Sequence, residues 1–374
     1  MQFLSENQNI PIHLEQFIKE NKKLHQYFDI NFSGVQPKNY CGFLSIDSKN
    51  YFIVPKITDS DNQNLNIFIY MLLYAYDIKL QNLDLINSTN TKFRIIELFI
   101  KFFADTLLNE FKKGVFKQYI SLQENLKTLR GKYLIKNNFN NFHNQNIYCE
   151  FDEFSMDNEL NRFFLFAINI FKRYSSYSNL YRCEAVLDEV ALINVNLKKL
   201  NINFDRINSR FKHSFNLALM ILQKLVPLVE KGADRSFAFL FDMAEVFEKF
   251  VGRIYQEIDS SAILQKQANF GSLVLKPDIL TDSKIIDTKY KKLNRQEDLL
   301  AQDKYQMFVY GTNFKVKDTM LLYPKHLLDI DENLELGKGD DMIRLKLKSL
   351  DLSFDGGFEE FVEEIKRRLK NEKN

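Results

Sequence analysis

The stretch Leu275-Lys276-Pro277-Asp278-Ile279-Leu280, Thr281-Asp282-Ser283-Lys284, Ile285-Ile286-Asp287-Thr288-Lys289-Tyr290 constrains this chain more than any other. Two short apolar runs rich in β-branched residues flank a polar turn, which predicts a β-hairpin. With Asp282-Ser283 as a two-residue loop, Asp278 lies across from Asp287. Side chains alternate along a strand, so Lys276, Asp278, Asp287 and Lys289 share one face. Like charges placed opposite each other destabilise a sheet, and the arrangement makes most sense with a cation between the carboxylates. Two carboxylates completed by water suit Mg²⁺, a hard ion that retains several waters. A lysine two residues beyond the second acid can orient or activate one of those waters, the equipment of metal-dependent phosphodiester hydrolysis.

The rest of the composition frames that site without adding a second one. At 374 residues, 45% of them hydrophobic and 27% charged, the chain has core material for two domains. A formal charge of +2 leaves nucleic-acid contact to a local basic surface. Cys41, Cys149 and Cys183 are widely spaced and form no CxxC, so neither a disulfide framework nor a zinc site is expected. The N-terminus lacks the cationic start and apolar core of a signal peptide, and the apolar stretch from Leu65 to Ile78 is shorter than the ~20 residues needed to span a bilayer. The expectation is a cytoplasmic protein with no membrane contact.

Periodicity then places the elements. A helix is predicted over Pro11 to Phe28. A hairpin follows, with Gly42 to Ile46 and Tyr51 to Ile57 joined by Asp47 to Asn50. A buried helix spans Leu65 to Ile78, and a long helical pattern runs from Lys92 to Gly131 with Gly114 as a break. The Asn-rich segment Asn137 to Asn146 is the expected interdomain loop. Helices are expected over Asp157 to Tyr177, Ile207 to Glu230 and Phe237 to Glu257. The last buries Met243, Val246, Phe247, Phe250, Val251 and Ile254 and carries Glu248 on the flank of that arc. After the acid-bearing hairpin come a helix from Gln296 to Asn313, strands at Thr319 to Tyr323 and Met342 to Leu352, and a closing helix from Phe358 to Leu369. The order implies an α/β (α+β) core, a central mixed sheet flanked by helices.

Acid-bearing strands between two helices make this chain similar to the PD-(D/E)xK nuclease superfamily. Pro277-Asp278 and Asp287-Thr288-Lys289 match its signature, and Gln306 to Tyr310 matches the Gln-x-x-x-Tyr element of RecB-like members. Glu248 corresponds in order to the acid that many members carry on the preceding helix. The resemblance sharpens to the McrC family of McrBC-type modification-dependent restriction systems. The blocks that carry it are Ile53 to Ile57, Asn66 to Asp77, Leu129 to Lys132, Asp157 to Arg162, Phe241 to Gly252, and Asp303 to Gln306 after the Pro-Asp and Asp-Thr-Lys-Tyr-Lys run.

That resemblance implies a Mg²⁺-dependent endonuclease subunit (Mn²⁺ a possible substitute) that cleaves double-stranded, modified DNA with a McrB-like AAA+ GTPase ring. Asp278, Asp287 and the Thr288 carbonyl are the implied metal ligands. Lys289 is the residue acting on water, and Gln306 and Glu248 support the site. Lys291, Lys292, Arg295 and Tyr310 are candidates for DNA contact, and Arg130 for contact with the motor. No G-x-x-x-x-G-K-[ST] occurs, so this chain should bind no nucleotide itself. Residues 1–148 are expected to form a mixed β/helical motor-docking domain. Residues 149–374 would provide a helical segment plus the nuclease core, from about residue 237. The rival readings are a non-catalytic activator of an AAA+ motor and a stand-alone RecB-like exonuclease.

Overall fold

The computed structural model describes residues 2–46, 49–78, 95–139, 141, 145–228, 236–291, 301–325 and 329–370. The chain divides into two compact units, residues 93–223 and a unit that combines residues 1–92 with 224–374. The division expected at residue 148 falls instead inside the strand Ile147–Ser155, in the middle of the second unit's sheet.

The reason lies in Phe237–Asp242. These residues, read from sequence as the start of a helix, form a strand. Five aromatic and aliphatic side chains in succession fill both faces of a buried sheet, and the helix begins only at Met243, where the Asp242 side chain accepts from the Ala244 N–H. This strand pairs antiparallel with Tyr40–Ile46, which pairs in turn with Lys49–Val54 in the expected hairpin. Gln2–Ser5 adds a parallel edge strand, and Leu225–Pro227 closes the other edge of five. At Gly42 (φ 142°) a Cβ would stand 2.2 Å from the Phe239 carbonyl, so only glycine allows the two strands to meet there. The N-terminal strands therefore complete their sheet only with residues from beyond position 224.

The same unit holds a six-stranded mixed sheet. Its order is Ile263–Leu264, Ile279–Leu280, Lys284–Thr288, Asp318–Pro324, Ile343–Leu350, Asp331–Leu336. The three strands Lys284–Thr288, Asp318–Pro324 and Ile343–Leu350 run parallel, with antiparallel strands at both flanks. Parallel neighbours need a crossover, supplied between the first two by the helix Ala301–Phe314. Met307 and Tyr310 of that helix pack on Leu321, Tyr323, Leu345 and Leu347. The Met243–Ile258 helix buries every residue of its expected arc. Phe250 meets Tyr74 of the Asp61–Ala75 helix and stacks on Phe361 of the Phe358–Lys370 helix.

The second unit is helical around aromatic side chains. Ile95–Lys112 ends at Gly114 (φ 113°). The helical pattern expected to continue to Gly131 gives way to the strand Gln118–Leu126, paired antiparallel with Ile147–Ser155. Helices Glu159–Phe171 and Ser178–Val186 follow, and Lys212–Lys224 leads back to the first unit. Of the Asn-rich segment, the described residues include the short helix Ile135–Asn138, and the segment connects strands of one sheet rather than two domains.

Candidate active site

The acid-bearing hairpin has the expected register. Thr281 and Lys284 close a two-residue loop, and Ile279 and Leu280 pair with Ile286 and Ile285. The ladder ends there, and Asp278 bends to reach along its neighbour. Its Oδ2 accepts from the Thr288 N–H at 2.8 Å and from the Thr288 hydroxyl at 2.9 Å. The structure thus brings Thr288 to the site through its donors.

Asp287 projects from the central parallel region of the sheet and is 3% exposed. The Lys289 ammonium lies 2.7 Å from Asp287 Oδ2. That ammonium is the charged partner of Oδ2, and no other donor reaches this buried oxygen among the described residues. Burial and the neighbouring Asp278 carboxylate push the Asp287 carboxyl up, against the pull of Lys289. Burial alone would lower the Lys289 ammonium, but Asp287, Asp303 and Asp278 together raise it.

Glu248 reaches the same cluster from its helix. Burial, then Asp278 and Asp287, push its carboxyl up to about 7, with Lys276 and Lys249 opposing. Glu248 and Asp287 are thus both raised by the charge of Asp278, a repulsion that a cation would relieve. Among the described residues no three His, Cys, Asp or Glu side chains close into a cage. An all-oxygen anionic set with one buried oxygen answered only by the Lys289 ion pair nevertheless fits a hard divalent ion that keeps much of its water.

The helix Ala301–Phe314 closes the other side. Lys289 Nζ donates to Gln306 Oε1 at 2.9 Å, Gln306 Nε2 to the Tyr310 hydroxyl at 3.0 Å, and that hydroxyl to the Lys276 carbonyl at 3.1 Å. One-turn spacing aligns Gln306 and Tyr310, as the sequence implied. Tyr310 is buried, and its hydroxyl is engaged by Gln306 and Lys276, so it braces Gln306 rather than offering a surface to DNA. Lys291 is likewise engaged, its ammonium on Asp303. Lys292 and Arg295 lie outside the described residues. Arg130 is in the other unit, stacked over the Phe151 ring at 4.1 Å and 3.5 Å from Glu153.

Two participants were missed in the sequence. Asp303 is buried, pairs with Lys291, and lies 3.9 Å from Lys289. Its position three residues before Gln306, on the same helix face, was the available signal. Gln265 donates from Nε2 to Glu248 and to Asp278. A glutamine in an irregular segment gives no periodic signal, and only the tertiary fold reveals it.

The McrBC 5-methylcytosine restriction system component family matches residues 35–324 of this chain. No curated protein matches it. Among solved structures, a chain in the half-complex from the tetradecameric assembly of Thermococcus gammatolerans McrB AAA+ hexamers with bound McrC is 19% identical. The likeness has a TM-score of 0.61 and covers 99% of this chain and 100% of that one, and it shows a shared fold. A chain of the Thermococcus gammatolerans McrBC complex is 21% identical with a TM-score of 0.49, over 69% of this chain and 88% of that one. With the family model spanning well over half of its length, the chain belongs to the McrBC 5-methylcytosine restriction system component family.

Proposed function

We propose that this chain is the nuclease subunit of a McrBC-type restriction complex, with a PD-(D/E)xK core that hydrolyses phosphodiester bonds of double-stranded DNA. The observation that carries the reading is the convergence of Asp278, Asp287 and Lys289 at one end of the sheet, with Gln306 hydrogen-bonded to the lysine from the following helix. Asp278 and Asp287 would hold Mg²⁺, or Mn²⁺ in its place, with the Thr288 carbonyl the further ligand that the family resemblance suggests and Glu248 the acid beside them. Bound Mg²⁺ supplies charge neutralisation at the phosphate and a more acidic water.

Lys289 is fixed between Asp287 and Gln306, so its ammonium can hold an attacking water and offset charge developing on phosphate oxygens. Gln306 fixes Lys289, and Tyr310 fixes Gln306. Asp303 draws Lys291 to the same side, where it adds a positive charge beside the site. Lys292 and Arg295 remain proposed backbone contacts, which position DNA without reading its sequence.

The partner is an AAA+ GTPase ring, by likeness to the McrB hexamers with bound McrC. The substrate is DNA carrying modified cytosine, by the family's description. Nucleotide hydrolysis belongs to that partner, since this sequence holds no phosphate-binding loop. Among the described residues no helix is long and apolar enough to cross a membrane. The N-terminal half remains the proposed docking region. Because its sheet is completed by Phe237–Asp242, docking is a property of the full chain.

The test is reconstitution with the AAA+ partner on methylated and unmethylated duplexes. Cleavage that requires GTP, the partner and Mg²⁺ is the expected result. Cleavage unaffected by chelation of divalent ions, or by loss of Asp287 and Lys289, overturns the assignment.

A further inference from the structure

Gln265 belongs to no strand or helix. Its backbone N–H donates to the Asp278 carbonyl at 2.9 Å, closing the base of the small ribbon formed by Ala268–Phe270 and Leu273–Leu275. Its φ of 51° lies in the left-handed region, where a side chain larger than glycine is held only if its surroundings demand it. What the surroundings use is the side-chain amide. Nε2 donates to Glu248 Oε1 at 2.5 Å and to Asp278 Oδ1 at 2.9 Å. With both carboxylates ionised the neighbours are acceptors, so the nitrogen rather than the oxygen faces them.

One amide group therefore stands against two carboxylates that repel each other, where a cation shared by both would stand. The two oxygens of Asp278 are not equivalent. Oδ2 already receives two donors from Thr288, so Oδ1 is the oxygen with room for a new ligand, and Gln265 is on it. Resting on the metal-site reading above, we propose that Gln265 is a placeholder for the cation. Its amide holds Glu248 and Asp278 together while the site is free of metal and gives way when a divalent ion binds. A placeholder of this kind keeps the acids from splaying apart, yet competes with the ion and so weakens its affinity.

The competition has a sign that a ligand or an outer support would not share. Removing an outer support of a metal ligand lowers affinity about 10–100-fold. Removing a competitor raises it, here about tenfold or more for the net loss of a hydrogen bond to a charged group. The experiment uses the full chain and Mn²⁺ as the probe, titrated by electron paramagnetic resonance, with thermal melting in chelator as a readout independent of metal. Gln265→Met, similar in length but without a donor, is expected to bind Mn²⁺ at least about tenfold more tightly and to melt at lower temperature in chelator. Gln265→Ala provides the same comparison should Q265M fail to fold. Weaker Mn²⁺ binding would make Gln265 a support of the site, and unchanged binding would make it a bystander; either result overturns the proposal. If the wild-type chain binds no Mn²⁺ above an Asp287→Ala control, the metal-site reading itself fails and the placeholder with it.

Discussion

The two units bury different kinds of polar group. Among the described residues, the fully buried side chains with a charge are Glu6, Asp287 and Asp303, all in the unit of residues 1–92 and 224–374. The buried polar side chains of the 93–223 unit are neutral: Asn138, Asn158, Asn161, Asn208 and Ser214. Asn158 and Asn161 serve the backbone, both donating to the carbonyls of Phe116 and Met156. Such groups join a loop to a helix at modest cost. Buried carboxylates are expensive unless paired, and shift their titration when the pairing is incomplete. The first unit tolerates Asp287 and Asp303 where they converge on Lys289 and Lys291, while Glu6 accepts from the Tyr290 hydroxyl and the Lys56 N–H. A site of chemistry is thus marked by polar burial that stability alone would not favour.

The largest test of that contrast is Asp287→Ala. Cleavage by the reconstituted complex should fall by roughly three orders of magnitude, the scale of losing an electrostatic element of the transition state. The partner's GTP hydrolysis and the fold should persist, because the lost group was costly to bury. Turnover assays alongside circular dichroism check both halves. Loss of folding with loss of cleavage would mean that Asp287 is structural.

Phe103→Ala probes the opposite region. The ring is fully buried and meets Phe164 and Phe171. Its truncation should cost about 3–5 kcal/mol, as deletion of a buried aromatic ring does. Denaturant melts of the full chain measure that loss. Mn²⁺ binding by the variant, measured below its melting point, should match wild type, since no residue proposed to hold the ion belongs to this unit.

Much of the site was legible because it is local. A two-residue turn and strand alternation determine which side chains of Leu275 to Tyr290 face one another, and the observed pairs of Ile279 with Ile286 and Leu280 with Ile285 are those the turn requires. One helical turn likewise relates Gln306 to Tyr310. The errors arose where tertiary context decides. Phe237–Asp242 looks like helix to a periodicity argument, since an unbroken apolar run suits a buried strand equally well. Its partner Tyr40–Ile46 lies about two hundred residues earlier, so no local pattern could indicate the pairing that undoes a boundary at residue 148. Gln118–Leu126 was absorbed into the preceding helix for the same reason, although Gly114 already marked the end.

Arg130 offers a smaller effect in the 93–223 unit. It is exposed, lies over the Phe151 ring and pairs with Glu153 at 3.5 Å. Such surface contacts contribute no more than about 1 kcal/mol to stability. Arg130→Ala should leave melting nearly unchanged while lowering stimulation of the partner's GTPase severalfold. Full stimulation by the variant would remove Arg130 from the proposed contact.

The finest test sets two residues of one helix against each other. Glu245 and Glu248 are three positions apart on Met243–Ile258 but shift in opposite directions. Burial would raise Glu245, but hydrogen bonds from Lys224 and Lys249 override it and hold the carboxyl at about 2. Burial and two neighbouring acids raise Glu248 to about 7. For Glu245 the folded value lies below the unfolded one of about 4.3, so its contribution is present above that pH and lost as pH falls toward 2. For Glu248 the folded value lies above, so stability is fully present below about 4.3 and lost as pH rises toward 7. Asp287 acts in the same direction as Glu248. The metal-free chain should therefore melt highest in the mildly acidic range and lose a few degrees on either side. Glu248→Gln should flatten the upper limb and Glu245→Gln part of the lower one, as melting curves in chelator across pH 3–8 would show. Mg²⁺ should remove the upper decline alone, because the cation answers the repulsion around Glu248 and is remote from the Lys224–Glu245–Lys249 pairing. A decline toward pH 8 that survives in both Mg²⁺ and Glu248→Gln would place the strained charge elsewhere in the first unit.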